Sequence, residues 1–319
     1  MSSNGHIVVI GSINMDLVCR AKRLPEAGET VLGNDFQAIP GGKGANQSVA
    51  AARLCSNGLQ IHHVGRVGSD DLGQRLFTGL HAHGVQTDHV VITEGMSSGV
   101  AMILVETNGE NRIVVAPGAN AELSIADVDR AESLIKDASV VVMQLEIPHA
   151  TVRHTIAMCQ RYGVFTILDP APAPIDGLPR AMFGVDVITP NQAEAKQLIG
   201  NPGRPKVKRK VVVDPKQIAI DLLSRGPKNV VLKLASRGSI LVNGSGKIER
   251  FPGNKVSVED TTAAGDAFTA ALAVGHAEGM SLPESIRFAN AAGALCCTKF
   301  GAQPALPTRK DVDRLLVKS

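Results

Sequence analysis

The run Glu259-Asp260-Thr261-Thr262-Ala263-Ala264-Gly265-Asp266-Ala267-Phe268 concentrates the chemistry of this chain. Ahead of it, Lys255-Val256-Ser257-Val258 alternates like the end of a strand. Behind it, residues 267–278 are rich in Ala and Leu and predict a helix. Ala263, Ala264 and Gly265 then occupy a strand-to-helix turn, where backbone N–H groups point outward and the helix dipole attracts negative charge. A carboxylate at Asp266 makes chemical sense there if its neighbour is a phosphate and its task is to take a proton. The same residue also reads as a helix N-cap, the ordinary use of Asp ahead of a helix.

A second run narrows that choice. Gly41-Gly42-Lys43-Gly44-Ala45-Asn46-Gln47 opens a helical stretch at 45–54. Its glycines allow close backbone approach and a hinge, while Lys43 and Asn46 offer donors to a hydroxylated ligand. It is not a Walker A loop, because Gly44 rather than Ser or Thr follows Lys43 and residue 37 is Gln. No G-x-G-x-x-G follows the first apolar run, which weakens a dinucleotide reading.

The elements that must position these residues alternate along the chain. Short apolar runs at 7–10, 61–64, 140–143, 165–168, 185–189 and 230–234 predict strands. Helical patterns occur at 45–54, 72–83, 125–135, 150–161, 192–199, 217–224 and 282–298. Strands apolar at nearly every position belong to sheets covered on both faces, so the expected fold is α/β with a mostly parallel, doubly wound sheet. Two stretches, 30–38 and 99–115, have strand composition with no helix between. Thr107-Asn108-Gly109 in the second is a hairpin signal, and together with 16–20 these stretches predict a small inserted β-sheet. Polar residues follow the strands of the main sheet: Asn14 and Asp16, Glu146, Asp169, Asn191 and Glu194, then Ser236-Arg237-Gly238. Open parallel sheets bind ligands at the carboxyl ends of their strands, so these residues converge on one edge.

Composition removes other classes. A net charge of +3 over 319 residues is too small and too dispersed for a nucleic-acid surface. The basic run at 206–210, flanked by Asn201-Pro202-Gly203-Arg204-Pro205, reads as a solvated loop. Five cysteines, with no CxxC pair, argue against a metal ribbon or a disulfide framework and for a reducing compartment; nine histidines include no H-E-x-x-H. The first apolar run is too short for a signal peptide or spanning helix, so a cytoplasmic protein without membrane contact is expected.

The residues from Val8-Val9-Ile10-Gly11-Ser12-Ile13-Asn14-Met15-Asp16 to Gly301-Ala302-Gln303-Pro304 resemble the PfkB-type carbohydrate kinases, and the Gly41–Gln47 run resembles the ribokinase group within that family. The resemblance implies one ribokinase-like kinase domain over 1–319, with lid strands inserted at about 16–40 and 98–117. It implies transfer of the γ-phosphoryl of ATP to the 5-hydroxyl of D-ribose, with Asp266 as base and the backbone N–H groups near Gly265 as anion hole. Asn14, Asp16, Gly42, Lys43, Asn46 and Glu146 correspond to sugar ligands. Asn191 and Glu194 match an Asn-x-x-Glu that organises Mg²⁺ and phosphate. Lys233, Ser236 and Gly238 fall in the nucleotide loop, and Asn290 in the adenine pocket. Asp260, with backbone carbonyls near Thr262, Cys296, Lys299 and Gly301, corresponds to a monovalent-cation site taking K⁺. The family's lid also implies a homodimer in which two lids clasp.

Four departures stand against the family pattern. Lys233-Leu234-Ala235-Ser236-Arg237-Gly238 replaces a common Thr-Leu-Gly-Ser-Arg-Gly, leaving Lys233 to reach a phosphate or point to solvent. Asp169 stands where Asn is common, Ala305 where a Ser often completes the cation shell, and the basic run at 206–210 is unfamiliar. The competing readings are a kinase for deoxyribose or a nucleoside, which Asp16 should discriminate, and a sugar-binding regulator without turnover. The joint presence of Lys43, Asn191, Glu194, Gly265 and Asp266 argues against the last.

Overall fold

The computed structural model describes residues 5–56, 58–106, 110–200 and 214–318. The turn at 107–109 and the basic run at 206–210 lie outside them. The strands are β1 (His6–Ile10), β2 (Asn14–Ala21), β3 (Gly33–Gly41), β4 (Gln60–Gly68), β5 (Val85–Thr93), β6 (Gly99–Glu106), β7 (Asn111–Ala116), β8 (Val140–Met143), β9 (Phe165–Leu168), β10 (Val187–Ile188), β11 (Asn229–Lys233), β12 (Ser239–Asn243) and β13 (Ile248–Phe251). The helices are α1 (Lys43–Leu54), α2 (Asp71–Ala82), α3 (Ile125–Arg130), α4 (Glu132–Lys136), α5 (His149–Tyr162), α6 (Gln192–Ile199), α7 (Pro215–Leu223), α8 (Ala264–Ala277), α9 (Leu282–Cys296) and α10 (Arg309–Lys318).

Among the described residues, nine strands form one sheet in the order β13-β12-β11-β10-β9-β8-β1-β4-β5. From β11 to β5 every pair is parallel, and β12 and β13 add an antiparallel edge. The two-residue period of a strand sorts its side chains between two apolar layers. Ile7 and Val9 of β1 pack with α1, α2, α8, α9 and α10, whereas Val8 and Ile10 pack with α3 to α7. The sheet is thus buried on both faces and doubly wound, as the apolar runs predict.

A second sheet has the order β3-β2-β6-β7. Register places Ala38, Leu17, Met102 and Val114 in one row, with Ile39, Asp16, Ala101 and Val115 in the next. Adjacent rows face opposite ways. Phe36, Met102 and Val114 share the outer face, at 63%, 58% and 67% exposure, while Ile39 and Ala101 beside Asp16 are buried.

Two expectations need correction. Residues 252–258 are irregular rather than the end of a strand; the chain leaves the sheet edge after β13, and Val258 is exposed. The helix expected at 125–135 is broken in two at Ala131.

Candidate active site

The site lies outside the carboxyl ends of β1 and β8, where the strand order departs in opposite directions. After β1, the Ser12 hydroxyl donates to Glu146 Oε2 at 2.6 Å, tying together the loops that follow the two strands. The same oxygen accepts the backbone N–H of Lys43 at 3.1 Å and so docks the start of α1 on the crevice. Glycines permit that docking. Gly42 has φ 86°, and a Cβ on Gly44 would lie 2.7 Å from the backbone of Gly11 and Ser12.

From this position α1 presents two amides to Asp266. Asn46 Nδ2 donates to Oδ2 at 3.0 Å, and Gln47 Nε2 donates to Oδ1 at 3.1 Å. Asp266 is not an N-cap: the cap is Ala263, and Asp266 sits buried within the first turn of α8. Ala263 has φ 59° and supplies no side-chain cap, which leaves that turn open to an anion. Burial lifts the Asp266 carboxyl to about 6; Asp169 adds to the rise, while Lys43 and the two amides oppose it. Asn46 Oδ1 is buried without a protein partner among the described residues, an acceptor suited to a ligand hydroxyl.

Carboxylates crowd around Lys43. Asp16 is pushed up to about 7 by burial and by Glu146 and Asp266, against the pull of Lys43. Burial alone would lower Lys43, but Asp266, Glu146, Asp169 and Glu194 together carry it upward. Asn14 is held by Asn120, whose Nδ2 donates to Asn14 Oδ1 at 2.7 Å while its Oδ1 accepts the Ile13 N–H at 2.9 Å.

Lys43 and Asp266 also line a cavity of about 760 Å³ that runs along the first turn of α8. Asn191, Glu194, Lys233, Ser236, Gly238, Gly265 and Asn290 all line it. So do Lys255, Val256 and Val258, the segment expected as a strand. Gly238, at φ 84°, lets its loop lie against Gly253, where an added Cβ would be 2.9 Å from the Gly238 nitrogen. Asn290 Nδ2 donates to Ser239 Oγ at 3.1 Å.

Asn191 and Glu194 close a capping box at the start of α6. Asn191 Oδ1 accepts the Glu194 N–H at 2.9 Å, and Glu194 Oε2 accepts the Asn191 N–H at 2.8 Å. Glu194 still borders the cavity, and burial raises its carboxyl despite the nearby Lys233.

The model of the pfkB family of carbohydrate kinases matches residues 4–309. The chain belongs to that family. It is 39% identical over 314 residues to the ribokinase of Bacillus subtilis (strain 168), covering 98% of this chain and 99% of that protein. It is 35% identical to the ribokinase of Mus musculus, covering 96% and 93%. Among solved structures, an Arabidopsis thaliana ribokinase complexed with ribose and ATP superposes with a TM-score of 0.86 at 33% identity, covering 98% of each chain.

Two departures from the pfkB pattern prove to be one interaction. Lys233 does not point to solvent: on the wall of the cavity its Nζ lies 2.9 Å from Asp169 Oδ1, with the two side chains 14% and 2% exposed. Ala235, in the same loop as Lys233, has φ 54°, a conformation a Gly would adopt without strain. At the expected cation site, Asp260 Oδ1 accepts the Thr262 N–H and hydroxyl at 2.9 and 2.7 Å. Its Oδ2 accepts the Gly301 N–H at 2.9 Å, and the Cys296 thiol donates to the Thr262 carbonyl at 3.4 Å. Burial alone would raise Asp260, but these donors hold it below the usual carboxylate range. Lys299 and Ala305 line a hollow of about 330 Å³ beside α10, distinct from the cavity along α8.

Sequence reasoning gave no role to Ser12, Gln47, Asn120 or Gln144. Gln47 lay in view inside the glycine-rich run. Ser12, Asn120 and Gln144 are polar residues in ordinary turn-forming contexts, and only the fold brings them to the site.

Proposed function

We propose that this pfkB-family chain transfers the γ-phosphoryl of ATP to the 5-hydroxyl of D-ribose, giving ribose 5-phosphate and ADP. The observation that carries the reading is Asp266, held through both oxygens by Asn46 and Gln47 in the first turn of an uncapped helix beside Lys43. A carboxylate cannot ionise an alcohol in advance, so the proton passes to Asp266 as the sugar oxygen attacks. The new O–P bond forms as the bond from Pγ to the bridging oxygen breaks, and ADP leaves with that oxygen. The N–H groups of Gly265 and Asp266 and the Lys43 ammonium stabilise the charge on the transferring group, joined by the Ala264 N–H when it leaves the Thr261 carbonyl, 3.3 Å away.

Asn14, Asp16, Gly42, Lys43, Asn46 and Glu146 bind the sugar, and the orphaned Asn46 Oδ1 accepts a hydrogen bond from a sugar hydroxyl. Lys233, Ser236, Gly238, Gly265 and Asn290 bind the nucleotide along the cavity. Glu194, with Asn191, fits a role in holding hydrated Mg²⁺ through water, which supplies charge neutralisation at the phosphates when bound. The ionised Asp260 and the carbonyls near Thr262, Cys296, Lys299 and Gly301 fit K⁺. The chain works as one kinase domain over 1–319, with the small sheet as a lid whose Asp16 face covers the sugar. The outer apolar face, with Phe36, Met102 and Val114, meets the lid of a second copy in a homodimer. No helix among the described residues is long and apolar enough to cross a membrane, in keeping with work in the cytoplasm.

A coupled ADP-release assay over ribose, deoxyribose, fructose and adenosine tests the reading. Ribose should give the highest kcat/KM. Equal turnover of deoxyribose would move the substrate, and no turnover of any of them would leave a binding protein.

A further inference from the structure

Three side chains connect the phosphate turn to the base, and a fourth orients the last of them. Lys233 Nζ bonds Asp169 Oδ1 at 2.9 Å, and Asp169 Oδ2 accepts Gln47 Nε2 at 3.1 Å. That same Nε2 is 3.1 Å from Asp266 Oδ1. Gln144 Nε2 donates to Gln47 Oε1 at 2.6 Å, which fixes the orientation of the Gln47 amide. Two carboxylates flank the other end of that amide, and only its NH₂ can face both. Lys233 meanwhile lies over the first turn of α8, where a Cβ on Gly265 would be 3.3 Å from its Nζ. Its backbone is anchored, with the N–H bonded to Pro190 O at 2.9 Å, so only the side chain is free to exchange partners.

We propose that Lys233 rests on Asp169 in the empty site and transfers to the phosphate when nucleotide binds, and that the Asp169 charge thereby released acts through Gln47 on Asp266. The proposal rests on the kinase reading above. In this arrangement the second cation of the site is held neutral by a partner until a phosphate competes for it. Its departure leaves Asp169 unpaired beside the base at the moment the base is needed. Lys233 is then a phosphate ligand, and Asp169 and Gln47 are positioning residues that set the proton affinity of Asp266. The other charged or titratable groups facing Asp266 are Lys43 of α1, Asp16 of β2 and Cys296 of α9. Glu146 and Glu194 act further out, through Lys43.

The test is the acid limb of the kcat/KM-versus-pH profile for ATP at saturating ribose, which reports the nucleotide-free enzyme in which Lys233 still rests on Asp169. Lys233→Met leaves Asp169 uncompensated and should move that limb upward by about 0.5–1 pH unit, with kcat down about 10–100-fold. Asp169→Asn removes the charge and should move the limb downward by a similar amount. The double variant should return it close to the wild-type position. Thermal unfolding of each variant, with ADP binding by calorimetry, separates misfolding from a shifted base. Should both single variants lose activity without moving the limb, or move it in the same direction, Lys233 and Asp169 are a structural pair and the proposal is overturned. A wild-type protein that turns over no sugar would instead refute the kinase reading itself.

Discussion

Asp266 should make activity and stability respond to pH in opposite senses. Its carboxyl is lifted from 3.8 to about 6 chiefly by burial, so protonation favours the folded state. The stabilisation is fully present below pH 3.8 and is lost as pH rises through 6. A lift of this size corresponds to about 3 kcal/mol carried as a cost at neutral pH. The base works only when ionised, so kcat/KM should fall about tenfold per pH unit below 6. Asp16, pushed up to about 7, adds a second requirement if its carboxylate grips the sugar. The limb then has a slope of about one between pH 6 and 7 and about two below. The perturbation is Asp266→Asn, which keeps the shape, and the assays are steady-state kinetics and thermal unfolding from pH 4.5 to 7.5. The variant should lose at least ~10²-fold in kcat, the scale of general-base loss. An Asn amide meeting the Asn46 and Gln47 donors brings a fixed penalty, but that penalty does not titrate. The stability of the variant relative to wild type should therefore climb by about 2 kcal/mol across the range, the rest of the cost being already present at pH 4.5. A flat difference, or near-normal kcat in the variant, would refute the assignment of Asp266 as a buried, titrating base.

Asp16→Ala should raise KM for ribose by about 10–100-fold with a smaller change in kcat, because hydroxyls that it grips lose their partner; an unchanged KM would remove Asp16 from the sugar site. Ala235→Gly should stabilise the fold by about 0.5–1 kcal/mol in thermal or urea unfolding, since Ala pays for a left-handed φ of 54°; a loss of stability would mean the loop gains more from Ala than the strain costs. Val114→Asp, on the outer face opposite Met102, should convert a lid-paired dimer to monomers by light scattering at micromolar concentration, whereas a monomeric wild type would end the dimer proposal. Potassium should raise kcat/KM relative to sodium at matched ionic strength, and Ala305→Ser should tighten that dependence by adding an oxygen; equal rates in the two salts would discard the cation site.

The large sheet was legible because its strands are apolar at successive positions. That pattern has one physical solution, a parallel sheet sandwiched between helices. The antiparallel edge of β12 and β13 was not. Ile248-Glu249-Arg250-Phe251 mixes charge with apolar residues as any edge strand or loop does. The alternation of Lys255-Val256-Ser257-Val258 misled because alternation records which way side chains point in an extended chain. It does not record whether a neighbouring strand exists to pair with it. Past the edge none is available, and the segment walls the cavity instead.

At the site, legibility followed the backbone. Runs whose glycines are required by close approach announced themselves. Gly42 and Gly44 must be small for α1 to reach Gly11 and Ser12, and this is why the run at 41–47 stands out in sequence. Side-chain networks carry no such mark. Gln47 is separated from Gln144 and Asp169 by 97 and 122 positions along the chain, and nothing local distinguishes an amide that orients a base from one that faces solvent. Lys233 and Asp169 show the consequence most clearly. Taken singly, each is an oddity that weakens the expected site. Placed 2.9 Å apart they offset each other's charge, and a cation introduced near the phosphate turn becomes tolerable because an anion was introduced to hold it. Departures from a family pattern are therefore better weighed in pairs that the fold brings into contact than one position at a time.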